Sequence, residues 1–257
     1  MFEGAGKPLS EAALNRAASD IGVGLPALWA VMTVETRSCG FLPDRRPQIL
    51  FERHVFHKRT KGKFAMQDPD LSSPSAGGYG AGGAHQYERL ERAIVLDRKA
   101  ALESTSWGLG QVMGFNARAA GFADVEAMVA AMCDSEDAQF GAVVGFITSK
   151  NLSKYLKQED WAGFAARYNG PDYAKNHYDA RLARASALFS AGPLPDLRLR
   201  AAQIYLTYLG YAPGTVDGWF GTNTRNALVK FQEDKGLEAT GRLDDEVFAA
   251  LERAALG

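Results

Sequence analysis

The segment Ser190-Ala-Gly-Pro-Leu-Pro195 constrains this chain most, because two prolines and a glycine in so short a span interrupt helix and form a stiff connector. The chain therefore reads as two parts, 1–191 and 196–257. Its 257 residues exceed a typical single domain of about 100–200, which agrees with one sizeable domain followed by a small module. Both parts are mainly helical by periodicity. Helical stretches are expected at 10–20, from Pro26 towards Gly40, and at 85–103, 124–132, 135–150, 160–168 and 173–189, with Ser10 and Ser135 as N-caps. The second part offers three more, at 197–209, 222–235 and 244–255, with glycines at the turns between them. Residues 61–84 are too rich in Gly, Pro and Ser to hold a regular element. They are expected to form a long loop, either disordered or a flap docked through Phe64, Met66 and Tyr79.

In the second expected helix, Leu28, Val31 and Met32 make an apolar stripe that Glu35 continues. A carboxyl on such a face loses hydration, which raises its pKa towards the range a general acid needs. The alternative is that the helix has already ended and Glu35 is solvated. Two further clusters use polar and glycine residues where helix would be easier. Ser106-Trp-Gly-Leu-Gly-Gln-Val-Met-Gly114 places three glycines among Trp107, Leu109 and Met113, suggesting backbone packed on something flat, with Ser106 and Gln111 free to hydrogen-bond. An ordinary tight helix junction would read the same way. Tyr168-Asn-Gly-Pro-Asp-Tyr-Ala-Lys-Asn-His-Tyr178 supplies flat apolar faces with polar handles, through Tyr168, Asn169, Tyr173 and Tyr178, suited to stacking on sugar rings. A helix cap is its plainer reading.

Net charge is −1, so no basic field argues for nucleic acid or an anionic membrane as partner. No run approaches the ~20 apolar residues of a membrane span, and the first 25 residues lack a signal-peptide core, so synthesis in the cytosol is expected. Cys39 and Cys133 belong to no CxxC pattern and are expected as reduced thiols. His54 and His57 are oddly spaced for metal ligation and no Cys/His cluster completes a site, so neither metal nor cofactor is expected.

Taken together, Val34-Glu35-Thr36 with Gly40, Phe41-Leu-Pro-Asp-Arg-Arg-Pro-Gln-Ile-Leu-Phe-Glu-Arg-His54, Tyr79-Gly80, Ser106 to Asn116, and Tyr168-Asn-Gly170 with Tyr178 resemble the N-acetylmuramidase family of bacteriophage endolysins, in the lysozyme-like superfamily. The Ile49 to His54 string is its most specific part. Residues 215–232, with Gly236-Leu237 and Thr240-Gly241, resemble the three-helix peptidoglycan-binding domain of wall hydrolases. There Thr222 is expected to cap a helix burying Ala227, Leu228 and Phe231, with Tyr211, Asp217, Trp219 and Asn223 around a binding groove.

The resemblance implies a lysozyme-like helical domain with a small β element or long loop, followed by a three-helix bundle. It implies cleavage of the β-1,4 bond between N-acetylmuramic acid and N-acetylglucosamine, with Glu35 protonating the leaving oxygen. A second carboxylate is usually needed. Glu52 is the first candidate, ahead of Asp44 and Asp172, although a structural ion pair from Glu52 to Arg45 or Arg46 reads equally well. Ser106, Trp107, Gln111, Met113, Tyr168, Asn169, Tyr173 and Tyr178 would line the glycan site. The implied protein is a monomer made in the host cytoplasm, inserted in no membrane, and reaching the wall through a holin-type lesion. A lytic transglycosylase, or a noncatalytic wall-binding phage protein, are the alternatives. Truncation after Gly192 is expected to weaken wall binding and spare some catalysis.

Overall fold

The computed structural model describes residues 2–35, 38–168, 174 and 177–257, with the side chain of Glu35 outside the described atoms. Among the described residues, nine α-helices and a small sheet form the first part: α1 (Glu11–Ile21), α2 (Leu25–Glu35), β1 (Ile49–Phe51), α3 (Arg53–Arg59), α4 (His85–Glu103), β2 (Thr105–Trp107), β3 (Val112–Met113), α5 (Val125–Asp134), α6 (Glu136–Ser149), α7 (Ser153–Lys157), α8 (Trp161–Tyr168) and α9 (Tyr178–Ala191), with a 3-10 turn at Gly114–Asn116. The second part is α10 (Leu197–Tyr208), α11 (Thr222–Asp234) and α12 (Asp245–Leu256). Each part has its own apolar cluster, one running from Phe2 to Phe189 and one from Ala201 to Ala255. The fold is mainly α with a three-stranded antiparallel sheet. Among the described residues no single helix is long and apolar enough to cross a membrane.

Local chemistry sets most helix starts. Ser10, Asp124, Ser135, Asp196 and Asp244 each accept a hydrogen bond from the backbone N–H three residues on, satisfying a donor the helix leaves unpaired. Thr222 is not a cap: the N-cap of α11 is Gly221, with no side-chain bond, and Thr222 is the first helical residue. Ala227, Leu228 and Phe231 are buried as the pattern demands. Helix α3 was hidden from sequence because its seven residues are too few to display a period.

Two expectations need physical correction. Helix α2 is not amphipathic: Leu28, Trp29, Ala30, Val31, Met32 and Val34 are all buried, so the helix is enclosed on most sides and packs chiefly on α9. Its described residues run to Glu35, and at Ser38 the chain is already outside the helix, short of Gly40. The 61–84 segment is folded as successive turns and held by α4. Arg92 bonds Asp68 and Asp70, Gln86 Nε2 donates to the carbonyls of Tyr79 and Ala81 at 2.7 Å each, and Arg89 reaches those of Asp70, Gly78 and Tyr79. Phe64 docks into the core, whereas Met66 is fully exposed and anchors nothing.

Candidate active site

Strand β2 lies between β1 and β3, pairing Leu50 with Ser106 and Ser106 with Met113. Side chains alternate across a sheet, so Ile49, Phe51, Thr105, Trp107 and Val112 point into the core, and each is buried. Leu50, Ser106 and Met113 share the opposite face, and Glu52, one residue beyond β1, falls in phase with them. Trp107 is thereby excluded from the glycan-contacting set. It is fully buried, and its indole Nε1 donates to the Leu102 carbonyl at 3.2 Å.

Ser106 and Gln111 hold the turn between β2 and β3 together. The Ser106 hydroxyl donates to Gln111 Oε1 at 3.0 Å, and Gln111 Nε2 donates to the carbonyls of Gly108 and Gln48 at 2.9 and 3.1 Å. Both amide protons of Gln111 are committed, leaving only acceptor capacity on Oε1 for a ligand. Gln111 itself adopts a left-handed φ of 48°, stabilised by these bonds.

Gln111 and Met113 meet Tyr168, from the end of α8, around a small cleft of about 110 Å³ completed by Val112, Asn116 and Phe146. The Tyr168 ring stacks on Phe164 and abuts Phe146 edge-on. Asn169, Asp172 and Tyr173 lie outside the described residues. Tyr178 opens α9, half-buried against the core with Arg181 over its ring, and is not among the residues lining this cleft.

Glu52 is the carboxylate nearest in sequence to this face. It is the N-cap residue of α3 and bonds neither Arg45 nor Arg46: Arg46 is paired with Asp44 at 2.7 Å, and Arg45 donates to the Ala255 carbonyl. Glu52 Oε2 instead lies 3.1 Å from His54 Nδ1, at an angle poor enough that both buried atoms lack a geometrically sound hydrogen bond. The Tyr79 phenol, from the 61–84 segment, is pushed up by burial and then by the charge and hydrogen bonding of Glu52. Tyr79, His54 and Glu52 thus form one polar group beside the sheet. Asp44, fixed by Arg46 at the surface, is a poor second carboxylate. No group of three His, Cys, Asp or Glu that could hold a metal occurs among the described residues.

Glu35 closes α2, and the chain beyond it is fixed at Ser38 and Gly40. Gly40 N donates to Glu136 Oε1 at 2.8 Å, and the Ser38 carbonyl accepts from Arg200 at 2.8 Å. Cys39, between them, is a free thiol pushed up to about 12, chiefly by burial and then by the charge of Glu136. Cys133 is also free. Glu136, Gln139 and Arg200 are among the buried structural polar residues that sequence reading missed. Glu136 in the first turn of a well-capped helix looks like an ordinary solvated acid.

In the second part, Asp217 and Trp219 line a crevice of about 360 Å³ between the two parts, opposite Trp29, Thr33 and Leu188. Asp217 is also a turn residue, accepting from Trp219 N and Gln203 Nε2. Tyr211 bonds Asp234 and Asn223 packs near Gly214, so neither joins Trp219 in the crevice.

Residues 24–190 match a family described as N-acetylmuramidase, and residues 196–251 match a putative peptidoglycan binding domain. A solved structure described as the crystal structure of Burkholderia AP3 phage endolysin is 43% identical, covering 72% of this chain and 72% of that one, with a TM-score of 0.68. No curated protein matches the chain.

Proposed function

Because the chain belongs to the N-acetylmuramidase family, we propose that it hydrolyses the β-1,4 bond between N-acetylmuramic acid and N-acetylglucosamine with Glu35 as general acid. The protein is a modular peptidoglycan hydrolase of phage endolysin type, with peptidoglycan as both substrate and binding target. We place its catalytic domain at 1–191 and its wall-binding domain at 196–257. The observation carrying the role of Glu35 is its position at the end of a helix enclosed on most sides, within the matched segment.

In this reading Glu35 donates its proton to the glycosidic oxygen as the bond to the muramic acid carbon breaks. Glu52 is the second carboxylate, supported by its alignment with Ser106 and Met113 and by its His54 and Tyr79 neighbours. A separation between the two carboxyls of about 5–5.5 Å would make Glu52 a nucleophile, and about 6.5–9.5 Å would make it the base that activates water. Met113, Tyr168, Asn169, Tyr173 and Tyr178 contact glycan, Gln111 through its remaining acceptor, while Ser106 acts by orienting Gln111. Trp219 and Asp217 lead wall binding, with Tyr211 and Asn223 shaping the domain. The enzyme works as a monomer, made in the host cytoplasm and admitted to the wall by a holin-type membrane lesion.

The test pairs Glu35→Gln with product analysis. Glu35→Gln should end turbidity clearing of permeabilised cells and leave wall pull-down intact. Mass spectrometry of wild-type digests should find reducing muramic acid ends, which carry an added water, and not anhydro ends. Clearing by Glu35→Gln overturns the assignment of the acid, and anhydro products convert the reaction to transglycosylation.

A further inference from the structure

Arg200 belongs to the wall-binding domain, on α10, yet the described partners of its guanidinium all belong to the catalytic domain. It donates to Glu136 Oε2 and Oε1 at 2.5 and 2.8 Å, and to the Ser38 carbonyl at 2.8 Å. Glu136 is 0% exposed and Arg200 2%. The same carboxylate accepts from Gly40 N at 2.8 Å and Leu9 N at 3.0 Å. One buried ion pair therefore grips the chain twice, at Ser38 and at Gly40, just after the helix that ends in Glu35.

Stability alone does not account for this arrangement. Taking two charges out of water is costly, and packed apolar residues often serve a core as well. A guanidinium adds direction: its rigid fork can hold a carboxylate and a carbonyl at once, which neither an apolar side chain nor an ammonium reproduces. Two further contacts keep the domains in register. Tyr208 donates to the Gly6 carbonyl at 2.8 Å and Arg45 to that of Ala255 at 3.3 Å.

We infer that Arg200 is a positioning residue for hydrolysis: from the wall-binding domain, it fixes the loop after Glu35, so that the catalytic geometry is complete only with that domain docked. The inference rests on the reading of Glu35 as general acid. Misplacing a catalytic group by about 1 Å can cost on the order of 100-fold in rate, and only three peptide bonds separate Glu35 from Ser38.

The experiment uses the full chain as wild type, Arg200→Lys, Arg200→Met and the double variant Glu136→Gln/Arg200→Met. Release of reducing ends against concentration of purified peptidoglycan gives kcat and KM, pull-down gives wall affinity, and circular dichroism gives Tm. The double variant removes both buried charges and has no donor for the Ser38 carbonyl, and its Tm reports whether the fold is kept. Arg200→Lys keeps the charge and decides the matter if both neutral variants fail to fold. The expected result is a fall in kcat of about tenfold or more in Arg200→Met and the double variant, with KM and pull-down within about twofold, and partial recovery in Arg200→Lys. A folded variant lacking Arg200 with kcat within twofold of wild type overturns the inference and makes the pair a stability element. Failure of the underlying reading looks different: Glu35→Gln would stay active whatever stands at 200.

Discussion

Gly40 packs so closely on Gln139 that a Cβ on the glycine would fall 1.8 Å from the glutamine Oε1. The same amide accepts from Leu109 N at 2.7 Å, donates to the Met132 carbonyl at 2.8 Å, and lies 2.6 Å from where a Cβ on Gly108 would be. The flat surface beneath Gly108 is thus a buried side-chain amide from α6, whereas Gly110 packs on Val143 and Gly114 on the Leu102 carbonyl. That amide joins the 106–114 segment to the loop after Glu35, so two glycine positions far apart in sequence answer to one glutamine.

Gly40→Ala should cost about 1–3 kcal/mol, the usual range for overpacking a closed site. Urea unfolding of Gly40→Ala, Gln139→Ala and the double variant measures it. The expectation is a positive coupling, with the double variant less damaged than the sum of the singles, because Gln139→Ala removes the atom that clashes. Simple additivity would mean that the backbone moves aside instead.

Truncation after Gly192 should abolish more than wall binding. Breaking a buried pair from one side costs about 3–5 kcal/mol when the remaining charge stays buried, and less once water reaches it. The truncated chain should melt well below the full protein and lose kcat on soluble glycan fragments, where the wall-binding domain contributes no affinity. Full kcat on such fragments would restore the simpler view of two separable activities.

Alkaline pH should destabilise the fold through its thiols. Burial raises Cys39 to about 12 and, with the N-terminus opposing, Cys133 to about 11, each from 9.0. A group whose folded pKa is raised stabilises fully below the unfolded value and loses that contribution as pH climbs towards the folded one. Tm should therefore begin to fall above about pH 9 through the two thiols, with the phenols of Tyr87, Tyr205 and Tyr208, also pushed up by burial, joining above about pH 10, so Cys133→Ala should flatten the slope between about pH 9 and 10. An unchanged slope in Cys39→Ala/Cys133→Ala would assign the effect to other groups.

Trp107→Phe should act on stability and not on substrate. The buried indole fills the core behind the sheet and satisfies the Leu102 carbonyl, so the variant should lose about 1–3 kcal/mol. KM for peptidoglycan should stay within error of wild type. Glu52→Gln should do the reverse, lowering kcat by about 100-fold or more with little change in Tm, if its carboxylate reacts directly. A variant at Glu52 that clears cells normally would reduce that residue to a partner of His54 and Tyr79.

Much of this protein was legible in its sequence because the signals are local. Ser10 and Ser135 announce helix starts through hydrogen bonds to their own third neighbours, and the 85–103 helix is delimited by periodicity alone. The Gly-Pro-Leu-Pro connector separates two helical parts, and the family resemblance carried by the Glu35, Ser106 and Tyr168 segments implies glycan cleavage before any contact is known. What sequence could not convey depends on partners distant in the chain. Trp107 and Met113 look alike as exposed-or-buried candidates until strand pairing assigns them to opposite faces. Glu136 looks like a helix-start acid until Arg200, 64 residues later, closes over it. Hydrogen bonds within a turn are encoded by neighbouring residues, whereas the burial of a charge is decided by whatever the rest of the chain places upon it. The sequence determined a helical, two-part peptidoglycan hydrolase; tertiary structure alone decided that its wall-binding domain reaches, through Arg200, to the chain at Ser38 and Gly40 just beyond Glu35.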